Sequence, residues 1–71
     1  MKEIVVHMVN IINGELFNNK NGVEGEKEIV INTMREYMKH GVTKYDIMDC
    51  ISNIDYKYHT TYVEVYNLTL E

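Results

Sequence analysis

A chain of 71 residues with 11 acidic against 7 basic side chains, a net charge of −4 and a single cysteine is one domain, 1–71, too short to bury a large core. The lone Cys50 rules out an internal disulfide, and no Cys/His pair stands at a zinc-like spacing, so neither metal nor cofactor is expected. The acidic balance argues against nucleic acid or an anionic membrane as the main partner.

Residues 2–12 are rich in β-branched side chains, which favours a strand. Ile4, Val5, Met8, Val9 and Ile12 also fit a helical stripe. Asn13-Gly14, the dipeptide best suited to a tight hairpin turn, tips the reading to a strand, with a short return strand over residues 15–18. Residues 18–22 are polar, carry a second Asn-Gly and read as an exposed loop.

A helix is expected over residues 26–40. Glu24, Glu26 and Glu28 lie at its acidic start, Lys39 and His40 at its basic end, Gly41 at the stop, and Val30, Thr33, Met34, Tyr37 and Met38 along one face. A second helix should begin at Thr43 as N-cap, with Asp46 at the third helical position and Val42 facing Ile47 as a hydrophobic staple. Its apolar stripe continues to about Asp55.

From Tyr56 the chain alternates. Tyr56, Tyr58, Thr60, Tyr62, Glu64, Tyr66, Leu68 and Leu70 fall on one side, and Lys57, His59, Thr61, Val63, Val65, Asn67 and Thr69 on the other, as in a long strand. The expected fold is therefore α+β, ββααβ, with an antiparallel sheet packed against two helices. The alternative is three helices with a C-terminal strand paired in a dimer. A single core this small, with a strand short of neighbours, points to a homodimer.

The stretch from Tyr37 to Ile47 resembles the helix, glycine, capped-helix junction of DNA-binding helix-turn-helix pairs, over about residues 29–55. A DNA-binding regulator is what that resemblance implies. Against it, the second helix offers Lys44 beside Asp46, Asp49 and Asp55, with no Arg or Gln to read base edges. Those carboxylates, with Glu36 and the Glu24/Glu26/Glu28 group, suggest the opposite, an acidic face that imitates DNA and blocks a DNA-binding protein.

The tyrosine side of the tail, with Tyr58, Tyr62, Glu64 and Tyr66, is the candidate partner-binding surface, because tyrosine couples a large apolar area to a hydrogen-bonding tip. No catalytic residue stands out. Cys50 lies on an apolar helical stripe, His7, His40 and His59 are widely separated, and Ser52 has no glycine-flanked elbow.

The chain contains no alanine, proline, glutamine or tryptophan and one arginine, Arg35, a bias of AT-rich coding sequences in low-GC bacteria and their phages. The stretch from Ile4 to Ile12 is broken by His7 and Asn10 and lacks a cleavage site. No apolar run approaches the ~20 residues of a membrane span, so a cytoplasmic location is expected. Elimination leaves a non-enzymatic protein-binding module, of phage or mobile-element type, that modulates or inhibits a host factor.

Overall fold

A computed structural model describes every residue of the chain except Thr61. Four helices account for its regular structure: α1 (Glu3–Phe17), α2 (Gly22–Met38), α3 (Lys44–Ile51) and α4 (Tyr62–Leu70). Both α1 and α4 pack against α2 and α3, which places the four around one core. That core consists of Val5, Met8, Val9, Ile12 and Leu16 from α1, Val30 and Met34 from α2, Ile47, Cys50 and Ile51 from α3, Ile54 from the following loop and Val65 from α4.

The α+β reading is overturned, since the described residues contain no strand or sheet. Of residues 2–12, expected as a strand, 3–12 belong to α1 and Lys2 is its N-cap. Their buried positions 5, 8, 9, 12 and 16 follow the helical period, and burial of that stripe outweighs the β preference of valine and isoleucine. Asn13-Gly14 makes no hairpin turn and sits within α1, so of the expected return strand residues 15–17 end the helix and Asn18 is its C-cap. There the Asn13 side chain accepts a hydrogen bond from the Asp55 backbone N–H at 2.9 Å, tying α1 to the loop after α3.

The alternating tail is helical as well. A lone strand leaves its backbone groups unpaired, whereas a helix satisfies them within the segment. Without a second strand alongside, residues 62–70 form α4, burying Val65 and Thr69 one turn apart. The C-terminal strand of the alternative fold is overturned with it, and so is the strand-pairing argument for a dimer. Thr61, which the alternation set opposite the tyrosines, lies outside the described residues.

The two central helices are found, with shifted bounds. α2 starts four residues before the expected 26, at Gly22 in the left-handed region (φ +64), and ends at Met38. Gly41 (φ +95) stops it, the Val42 N–H reaching back to the Tyr37 carbonyl at 3.4 Å. α3 begins where expected. Thr43 Oγ1 accepts from the Asp46 N–H at 3.3 Å and Asp46 Oδ2 accepts from the Thr43 N–H at 3.1 Å, a complete capping box. It ends at Ile51, with Ser52 as C-cap, rather than at about Asp55.

The segment from Ser52 to Thr60 has no regular structure and is held from α2. Glu26 is fully buried, and its carboxylate accepts hydrogen bonds from the Lys57 N–H, from the Tyr58 N–H at 3.2 Å and from the Thr60 hydroxyl at 2.7 Å. A buried carboxylate is tolerated only with such donors around it. Two further residues of α2 reach α4: Lys27 pairs with Glu64 at 2.8 Å, and the Arg35 guanidinium donates to the Leu68 carbonyl at 2.6 Å, a cation at a helix C-terminus.

Candidate binding cleft between α3 and α4

The outer faces of α3 and α4 meet in a cavity of about 220 Å³ lined by Met48, Ile51, Ser52, Tyr62, Val63 and Tyr66. α3 turns Ile47, Cys50 and Ile51 inward, which leaves Tyr45 and Met48 outside, and α4 turns Val65 and Thr69 inward, which leaves Tyr62, Val63 and Leu70 outside. Met48 is 52% exposed, Tyr62 49% and Val63 67%. Apolar residues scattered singly over a surface need no explanation, but these converge on one hollow.

One polar group at the cleft is already engaged within the chain. Ser52, the one hydroxyl besides the tyrosines, donates to the Met48 carbonyl at 3.0 Å. The Tyr62 ring packs on that of Tyr56 at 5.5 Å between centroids. Burial pushes the Tyr56 phenol well above its ordinary pKa, and its hydroxyl is enclosed without a hydrogen-bond partner. Such a surface is mainly apolar and aromatic.

The residues of the expected tyrosine surface are divided between two places. Tyr62 and Tyr66, one turn apart on α4, both line the cleft. Tyr58 stands in the loop with its backbone bound to Glu26, and Glu64 is turned to Lys27 on the α2 side. Reasoning from the sequence missed Met48 and Val63, whose signal was the coincidence of two large apolar residues at positions outside the buried stripes.

The residues expected to make an acidic face are not equivalent. Asp46 is buried, engaged by the Thr43 backbone and by Lys2 at 3.0 Å, and these hold its carboxyl below the ordinary value. Glu36 pairs with Lys39 at 3.4 Å at the end of α2. Asp49 and Asp55 are exposed, Asp49 accepting from the Asn53 amide at 3.3 Å. The exposed positions of α3 that would face DNA in a helix-turn-helix are Lys44, Tyr45, Met48 and Asp49, a set with one cation.

Groups able to perform chemistry are dispersed. His7 packs edge-on against Tyr37, His40 lies beside Glu36, and His59 occupies the loop with φ +59. Cys50 is fully buried, and burial, with the Asp49 charge adding to it, pushes its thiol up to about 11. Among the described residues no three His, Cys, Asp or Glu side chains gather as a metal site, and no helix is long and apolar enough to cross a membrane. No family model matches this chain, and no match to it was found among curated proteins or solved structures.

Proposed function

We propose that this protein is a non-enzymatic protein-binding module whose contact surface is the α3–α4 cleft. The observation that carries the reading is the convergence of half-exposed Met48, Tyr62 and Val63 on one apolar hollow. Exposing such a patch costs solubility, so its retention fits a surface that is covered in use. The small size and AT-rich coding style support a phage or mobile-element protein acting in the cytoplasm on a host factor. Regulation through DNA and mimicry of DNA find less support, since the outer face of α3 offers one cation, Lys44, and one carboxylate, Asp49, and Asp46 is committed internally.

The test is photo-crosslinking from position 63 in host lysate, with position 28 on the exposed side of α2 as control. A partner protein joined from 63, not from 28, and lost in the folded Met48→Lys/Val63→Lys double variant is the expected result. Crosslinking that is the same from both positions, or undiminished by the double variant, overturns the reading.

A further inference from the structure

Resting on that reading, we infer that the occupant of the α3–α4 cleft is a cationic amphipathic helix of the partner protein. Shape and chemistry point to a helix. The apolar strip continues along α4 from Val63 through Tyr66 to the partly exposed Leu70, spacings of three and four residues that repeat the ridge of a helix. Ser52 is engaged with the Met48 carbonyl, and the described residues contain no strand edge. An extended peptide would bury a backbone donor and acceptor at nearly every residue, and beyond the Tyr62 and Tyr66 hydroxyls the lining has little to offer them. A helix arrives with its backbone satisfied and needs only an apolar stripe at i, i+3, i+4 and i+7.

Charge selects the sign. The net −4 is unevenly divided, because residues 43–71 hold five carboxylates against Lys44 and Lys57 and so contribute −3 of it. Within that half, Asp46 is neutralised by Lys2 and Glu64 by Lys27, while Glu71 sits by Arg35 and Lys39 in a separate hollow. Asp49, the residue after Met48, and Asp55, which lines a neighbouring hollow with Tyr62 and His59, are exposed and have no salt-bridge partner among the described residues. Of the two lysines, Lys57 is turned away onto the Phe17 ring and carbonyl, and Lys44 lies over the Tyr45 ring. A partner with lysine or arginine beside its apolar stripe meets complementary charge, whereas a second copy of this chain would bring two like-charged halves together.

The test uses synthetic probes of about 15 residues, long enough for a stable helix. One is a Leu/Lys peptide with its leucines at helical spacing, one its Leu/Glu counterpart, and one a scrambled Leu/Lys sequence of equal composition. The intact protein is titrated with each while its backbone amides are followed by NMR. Expected is binding of the Leu/Lys helix with amide shifts confined to residues 45–52 and 62–70, weakened about tenfold or more by the Glu counterpart, by scrambling and by Val63→Lys. Asp49→Asn/Asp55→Asn should weaken it severalfold and flatten its salt dependence.

Equal binding of the Leu/Glu and Leu/Lys helices in the cleft overturns the cationic assignment and leaves the binding module standing. Shifts centred on α1 and α2, equal binding of the scrambled peptide, or no binding at all overturn the helix assignment. A sedimentation mass of twice 8.4 kDa that Val63→Lys returns to one chain makes the occupant a second copy and overturns it too. Failure of the crosslinking experiment above, by contrast, removes the cleft itself.

Discussion

The carboxylate of Glu26 accepts a hydrogen bond from the hydroxyl of Thr60, a residue 34 positions further along the chain, at 2.7 Å and out of contact with solvent. Because the same carboxylate also serves the Lys57 and Tyr58 N–H groups, Glu26→Ala strands several donors at once. It should cost about 3 kcal/mol or more, and Thr60→Val about 1 kcal/mol, since one donor is then lost while the carboxylate keeps the others. Urea unfolding of the two variants checks the ranking. Equal and small losses would show that the loop is held by something else.

Two glycines inside helices should respond with opposite signs to the same change. Gly14 is exposed within α1 with open space where a Cβ would stand, so Gly14→Ala should stabilise by about 0.5–1 kcal/mol. A Cβ on Gly25 would collide with the Asn19 side chain and approach the Asn21 Cβ to 2.8 Å. Asn19 is buried and organises the turn into α2, its Oδ1 accepting from the Asn21 N–H at 3.0 Å and its Nδ2 donating to the Gly22 carbonyl at 3.1 Å. Gly25→Ala should therefore destabilise by about 1–3 kcal/mol, read from thermal melting.

Asp46 makes stability depend on acid. Its carboxyl is held below the ordinary value by the Thr43 N–H first and by Lys2 next, so the folded state binds that proton more weakly than the unfolded chain. The stabilisation is present above the unfolded value and lost as pH falls through the folded one. Asp46→Asn should flatten the acid limb of the stability curve, and denaturation midpoints measured between pH 7 and pH 3 check it.

Cys50 should resist alkylation at pH 8, because its thiol titrates at about 11 and lies in the core. Folding favours the protonated thiol, so this group supports stability below the ordinary value of 9.0 and withdraws that support as pH rises through 11. Labelling by iodoacetamide should track global unfolding. Rapid labelling of the native protein would contradict the burial.

Charges placed on the cleft should separate binding from folding. Met48→Lys and Val63→Lys replace exposed side chains and should shift stability by no more than about 0.5 kcal/mol. Val65→Lys, two residues further on and facing the core, should unfold the protein, since it would bury an unpaired cation. Circular dichroism melts distinguish the three.

The legible parts of this fold were those written in local rules. Thr43 with Asp46 is a capping box in sequence and in structure, and Gly41 stops α2 as its position implies. α1 departs from the strand reading because the described residues contain no strand to use the strong short hairpin signal that Asn13-Gly14 carries. α4 was misread for a geometric reason. Residues four apart on a helix are also an even number apart on a strand, so the series Tyr58, Tyr62, Tyr66, Leu70 satisfies both templates. Only the odd step, Val63 to Tyr66, distinguishes them. The same ambiguity is why half of the expected tyrosine surface reappears at the cleft and the other half does not.

α2 carries three groups that each reach a different point of the C-terminal third: Glu26 the loop at 57–60, Lys27 the first turn of α4 at Glu64, and Arg35 its last turn at Leu68. Fastened at both ends and along its approach, α4 has little rotational freedom left to lose when something docks beside it. A surface already ordered before the encounter forfeits less entropy on association. In a chain of this size, that rigidity would let a small apolar contact of the proposed kind translate into useful affinity.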